Sequence, residues 1–310
     1  MSHRADGPDV SPEAAAVAAE SGHAVTESPE HLSALAAYYG RGGEQDRLSH
    51  GIGIIEFERT KEIVARHLPS PPAVIADVGG GPGVYALWLA SLGYSLHVRD
   101  ILPMHIDQAR AAARAAGLPV EAEVADARDL DLPSESVDAV LLLGPMYHLP
   151  CARDRARCLQ EARRILRPDG VVFVAAISRW APRLGAEVAK ARYRTFASFR
   201  DQIPGVERTG VLSALFEGGF SGYFHRPLEL KAEIEAAGFD CVDLVSVEGI
   251  AFALSDLDER LANETDRSVL LDAARAVERV PELLGLGPHL LATARRPKAD
   301  ISAVAGQMRR

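Results

Sequence analysis

An acid followed by glycines at alternate positions, with apolar runs on either side, can hold a small charged molecule. The chain has this pattern at Asp77-Val78-Gly79-Gly80-Gly81-Pro82-Gly83, inside the stretch Val74 to Ala90. The run before the hinge reads as a strand and the run after it as a helix. Glycines at such a junction let the backbone bend tightly and offer free N–H groups to a ligand at the helix start. A dinucleotide turn asks for glycine or alanine at the sixth position of Gly-x-Gly-x-x-Gly; counting from Gly79, that position is Val84. Asp77 would repel a pyrophosphate but attract a cationic amino group.

Two more acids follow at strand ends: Asp100 closes "LHVRD", and Asp126 stands in "VADARDL". Alone, Asp100 would serve as a helix cap or a ribose acceptor in either ligand class, and Asp126 as a turn former. Together with the glycine turn and "LRPDGVVFVAA", they resemble the successive motifs of class I S-adenosylmethionine-dependent methyltransferases. The resemblance covers residues 70 to 177 and extends in outline to 297. It implies S-adenosylmethionine as cofactor, with Asp77 toward the amino group of its methionine end, Asp100 toward the ribose hydroxyls and Asp126 toward the adenine amino group. Gly79, Gly81, Gly83, Ile101, Ala127 and Leu143 are the further cofactor contacts it implies. In related enzymes a lid closes over this site, and a tyrosine or arginine of the lid reaches the methionine carboxylate. Tyr39 and Arg47 of "YYGRGGEQDRL" are the candidates here.

Methyl transfer is an in-line displacement, so protein groups serve mainly to hold the two reactants and to take a proton where the nucleophile carries one. His148, in "LLLGPMYHLP" after the fourth strand, is the first candidate base, because a neutral imidazole accepts protons near neutral pH. Helix capping or a backbone hydrogen bond would equally explain it. Tyr39, Tyr223 and His225 are the further candidates, the last two on the glycine-flanked "GGFSGYFHRP". The Asn/Asp-Pro-Pro-aromatic motif of nucleic-acid amino-methylating enzymes is missing at Gly144-Pro145-Met146-Tyr147. This segment is instead similar to small-molecule methyltransferases, including enzymes that C-methylate indole rings in cyclic dipeptides. An aromatic or indole-like natural product is the expected acceptor, with O- or N-methylation of another metabolite as the competitor.

These residues need a scaffold, and the periodicity supplies one. Strands at 72–78, 94–100, 119–126, 136–144 and 171–177 alternate with helices at 83–93, 103–117 and 152–170. That is the pattern of an α/β, doubly wound, Rossmann-like sheet. Helix 227–238, strand 239–249, helical residues 256–280 and strand 288–297 complete seven strands, mostly parallel with the last antiparallel. Helices at 29–43 and 51–69 form an N-terminal helical lid over 30–69. Residues 178–226 break the alternation and read as an inserted substrate cap. The core is expected over 70–177 and 227–297, and disordered tails at 1–29 and 298–310.

The bulk numbers narrow the partners. A net charge of −9 disfavours a nucleic-acid groove, which carries a basic excess. Three cysteines without paired spacing give neither a disulfide framework nor a zinc cluster, and no metal site is expected. No apolar run reaches membrane-spanning length and no secretory signal opens the chain, so a cytoplasmic protein is expected, with a small-molecule substrate and homodimer formation as the one association considered. Two other classes stay open at this level: an NAD-dependent oxidoreductase and a non-catalytic binder of S-adenosylmethionine.

Overall fold

The computed structural model describes residues 29–298; the expected tails, apart from Pro29 and Lys298, lie outside them. Helices α1 (Pro29–Tyr39) and α2 (Ile52–Ala65) come first. The alternation follows as β1 (Val74–Val78), α3 (Val84–Ser91), β2 (Ser95–Asp100), α4 (Pro103–Ala116), β3 (Val120–Val124) and β4 (Val137–Leu142). Next come a short α5 (Pro145–His148), α6 (Ala152–Ile165) and β5 (Leu166–Ser178). Beyond β5 lie a π-helical segment at Pro182–Ala189, α7 (Phe199–Thr209) and a hairpin of β6 (Val211–Leu212) with β7 (Gly222–His225). The chain closes with α8 (Pro227–Ala236), β8 (Asp240–Ser246), α9 (Leu257–Ala262), α10 (Glu264–Val277) and β9 (His289–Arg295).

The main sheet runs β3-β2-β1-β4-β5-β9-β8, parallel from β3 to β5, with β9 antiparallel to both its neighbours. The expected seven strands are therefore present, and the hairpin adds two short ones. β7 lies parallel to the last residues of β5, Ile177 and Ser178, on the edge that β4 occupies further back. Its pairing extends the sheet only at the carboxyl end of β5.

β4 shows why its sequence is nearly all apolar. Val137, Val140 and Leu142 join one core layer with α6 and α8, while Ala139 and Leu141 join the other with α2, α3 and α4. A strand covered by helices on both faces has no polar side to offer. One boundary departs from the sequence reading. The helix expected over 152–170 ends at Ile165, and Leu166 already pairs with Val137 as the first residue of β5. The Pro-Asp-Gly that reads as a helix stop is instead strand, with Arg167 ion-paired to Asp138 at 2.5 Å and the Asp169 N–H donating to the Arg296 carbonyl at 3.0 Å. Among the described residues no helix is long and apolar enough to cross a membrane.

The strand order sets the site. The chain builds β1, β2 and β3 in one direction, then crosses to β4 on the other side of β1. At this reversal the loops after β1 and β4 diverge and leave a crevice at the carboxyl edge, where open α/β sheets bind ligands.

Candidate active site

Asp77 sits in β1 at this crevice, 1 % exposed, and its Oδ2 has no hydrogen-bond partner among the described residues. Burial, with the Asp100 charge close by, pushes its carboxyl up to about 7, while the Ala86 backbone N–H pulls the other way. A buried acid oxygen without a donor is costly, and a cationic group brought by a ligand would complete it.

The glycine turn fits against this acid for steric reasons. Gly79 has φ +69°, and a Cβ there would meet the Pro145 ring at 2.5 Å. Gly81 has φ +55°, and its N–H donates to Asp100 Oδ2 at 2.9 Å. Asp100 also accepts from the Leu102 N–H at 2.9 Å and lies 3.2 Å from His105 Nδ1. The acid expected at the ribose therefore also braces the turn and the start of α4. Gly83, left-handed at φ +83°, caps α3.

Asp126 follows β3. Its carboxylate is gripped by Arg128 through Nε and Nη2, with the shortest contact at 2.6 Å. Burial would raise its pKa, but these bonds hold it below the usual carboxylate range. Asp77, Gly79, Gly81, Asp100, Ile101, Asp126, Ala127 and Leu143 all line one narrow cleft, and α1 closes over it with Leu35 and Tyr39. The Tyr39 hydroxyl and His148 Nε2 share a 2.7 Å hydrogen bond, and the tyrosine ring stands edge-on to His105, 4.8 Å between centroids. Burial keeps the Tyr39 hydroxyl protonated far above its ordinary range. Arg47 lines the cleft as well but already donates to Glu44 at 2.9 Å and to both oxygens of Glu56 at 2.5 and 3.0 Å. Those bonds take three of its five donors, leaving two for a ligand.

Tyr223 and His225 are not brought to this cleft. Both are buried on β7. The Tyr223 hydroxyl bonds Glu229, the Arg155 guanidinium stacks on its ring at 3.6 Å, and His225 Nε2 lies 3.2 Å from Glu233. This is a cationic and acidic network that fixes β7 to α8.

Beside the cleft lies a chamber of about 810 Å³. The two share Tyr39, Glu44, Arg47 and Tyr147 as walls. Much of the rest is lined by residues from the segment 178–226, among them Phe199, Phe220 and Phe224, with the start of α2, Phe252 and, at the start of the last strand, Pro288 and His289. Among the described residues one set of acidic and imidazole side chains converges: Glu56, Glu248 and His289, whose polar atoms lie within 4.8 Å of one another. It is neutralised from within, His289 against Glu248 and Glu56 against Arg47. Burial alone would raise the Glu56 pKa, but His289 and Arg47 hold it below the ordinary value.

Sequence reasoning missed His105, Glu248 and His289, and read Glu56 only as a partner in a solvated salt bridge. His105 was within reach, since it falls in the first helical turn after Asp100. His289 carries no local signal. Only the antiparallel pairing of β9 with β5, which sets it opposite Ile177, delivers it to the carboxyl edge.

A family model described as a methyltransferase domain matches residues 75–170, the segment that carries Asp77, Asp100, Asp126 and His148. A ubiquinone biosynthesis O-methyltransferase of Azorhizobium caulinodans is 27% identical over 231 residues, 72% of this chain and 82% of that protein. The chain carries a methyltransferase domain of the S-adenosylmethionine-dependent kind. A ubiquinone/menaquinone biosynthesis C-methyltransferase of Acidiphilium cryptum is 32% identical over 151 residues, which is 43% of this chain and 59% of that relative. In fold, this methyltransferase is similar to a solved S-adenosylmethionine-dependent enzyme of Methanosarcina mazei, with a TM-score of 0.53 at 21% identity over 76% of this chain and 98% of that one. S-adenosylmethionine is its cofactor.

Proposed function

We propose that this methyltransferase methylates a small aromatic acceptor on oxygen, with the acceptor held in the 810 Å³ chamber and the cofactor in the adjoining cleft. The observation that carries this reading is the shared wall. Tyr39, Glu44, Arg47 and Tyr147 border both spaces, so ligands in the two spaces meet there. When bound, the cofactor supplies an electrophilic methyl group on a sulfonium. Asp77 receives its ammonium group, Gly79 and Gly81 let the backbone approach its chain, Asp100 faces its ribose and Asp126 its adenine. Tyr39 packs over it from α1. The remaining Arg47 donors serve its carboxylate.

The phenyl walls of the chamber suit a planar ring, since aromatic pairs gain from edge and offset contacts beyond the area they bury. The Azorhizobium relative is named an O-methyltransferase, which supports oxygen as the nucleophile. An electron-rich ring carbon, indole included, is the second reading. The same walls would hold it, and the Acidiphilium relative is named a C-methyltransferase.

The test combines binding and turnover. Calorimetry with S-adenosylhomocysteine on the wild type and Gly81→Val should show binding in the first and none in the second, because a branched side chain at φ +55° strains the turn and fills the cleft. A panel of catechols, hydroquinones, indoles and amines, read by mass spectrometry, should give methylated product with a phenolic member. Binding without turnover across the panel would overturn the acceptor assignment.

A further inference from the structure

We propose that His289 takes the proton from the acceptor in the chamber, with Glu248 as the residue that positions its ring. The inference rests on the acceptor reading above and goes beyond it to the proton's destination.

Four observations carry it. First, β9 runs antiparallel to β5 and pairs Ile177 with His289, so the first residue of β9 stands at the carboxyl edge of the sheet, where the chamber lies. Second, the ring is held from behind. Its Nδ1 bonds the carboxylate of Glu248, which is 0 % exposed and whose other oxygen accepts the His289 backbone N–H at 3.1 Å. A carboxylate at Nδ1 fixes the tautomer that leaves Nε2 as the basic nitrogen. Third, Nε2 makes no hydrogen bond among the described residues and is not one of the buried orphan atoms, while the ring lines the chamber with its side chain 22 % exposed. Fourth, the other histidines nearby are differently placed. His148 is bonded to Tyr39, His225 is buried on β7 outside both spaces, and His50 is exposed with Nδ1 on the Asp46 carbonyl.

The step balances without a further reactant. The acceptor hydroxyl gives its proton to Nε2. The oxygen pair left behind forms the bond to the transferred methyl, the carbon–sulfur pair stays on sulfur, and His289 returns its proton to water. The charged groups facing the ring are Glu248 from the turn after β8, Glu56 from α2 and Arg47 from the turn before α2. Burial and Arg47 lower its basicity, the two carboxylates raise it further, and the net places the imidazole at about 9. A base of that strength is matched to phenolic hydroxyls, whose pKa is about 10.

The experiment follows the His289 imidazole by nitrogen-detected NMR titration and kcat against pH. It uses the wild type, Glu248→Gln and His289→Gln, with catechol as the probe acceptor. In the wild type, the ring should titrate near 9 and kcat should rise with it. Glu248→Gln should move both downward together by at least one pH unit. His289→Gln should lose kcat by about a hundredfold or more and abolish the pH dependence, with cofactor affinity unchanged by calorimetry. Turnover of His289→Gln within threefold of the wild type, or a Glu248→Gln profile that does not move, would overturn the inference while leaving the acceptor reading intact. Broadening of the His289 signals by added Mn²⁺, with loss of turnover in chelator, would overturn it in favour of an ion at this cluster. If the wild type neither binds nor methylates catechol or any phenol of the panel, the acceptor reading falls, and this inference with it.

Discussion

Asp77 is a buried acid with one oxygen left without a donor, and under the proposed cofactor assignment its raised pKa couples ligand binding to proton release. Near 7 it is half protonated in the free protein, and an ammonium beside it must expel that proton. Cofactor affinity should therefore fall as pH drops below 7, approaching tenfold per pH unit. Calorimetry at pH 6 in buffers of different ionisation enthalpy should count close to one proton released per cofactor. Asp77→Asn should bind weakly and without that pH dependence, and a wild-type profile flat from pH 8 to 6 would contradict the ammonium assignment. The same shift acts on stability with a defined sign. The folded carboxyl holds its proton up to about 7 and the unfolded one only to about 4, so the apo fold loses stability as pH rises through that window. This acid, the glycines and the acids at 100 and 126 were legible from the chain because each sits at a strand end that hydrophobic periodicity marks. Glu248 and His289 were not, because they are 41 residues apart and meet only through the pairing of β8 with β9.

At the scale of elements, α1 is the piece that stands over the cleft. It covers the cleft with Leu35 and Tyr39, and its polar latch to the core is the Tyr39–His148 hydrogen bond. A bond of this kind contributes about 1 kcal/mol, a factor of about five in an opening equilibrium. Tyr39→Phe keeps the ring contacts and removes only the latch. Hydrogen exchange of the α1 amides should then accelerate about fivefold while β1 stays unchanged; equal protection in both proteins would mean that packing alone holds the helix. α1 was readable as a helix ending in glycines, but its place over the cleft was not, since that depends on a partner 109 residues away. The segment 178–226 was readable as an interruption for the same reason that its interior was not. Its π-helical turn and the hairpin that extends β5 obey tertiary pairing rather than local period.

For the whole molecule, the first helical layer is tied to the end of the chain by one buried cluster of charges. Arg59 on α2, 0 % exposed, bonds Glu62 and Glu278, and Glu278 also receives Arg66 at 2.8 Å and Arg279. Removing one member of a buried pair strands its partner, at a cost of about 3–5 kcal/mol. Glu278→Ala leaves three guanidinium groups without their common anion, whereas Arg59→Ala leaves the anion with two cations. The first should lower the urea midpoint clearly more than the second, and the reverse order would show that Arg59 is held chiefly by Glu62.

The division between cleft and chamber also bears on descent. Most of the donor side comes from the run of chain that the methyltransferase domain model spans, joined by Leu35, Tyr39, Glu44, Arg47 and Leu48 from before it, whereas the chamber draws on scattered pieces before and after that run, with Tyr147 alone from inside. Mutations in the chamber away from the four shared wall residues can therefore reshape what the enzyme accepts without touching what it gives. A lineage built this way keeps its chemistry while its menu of substrates drifts.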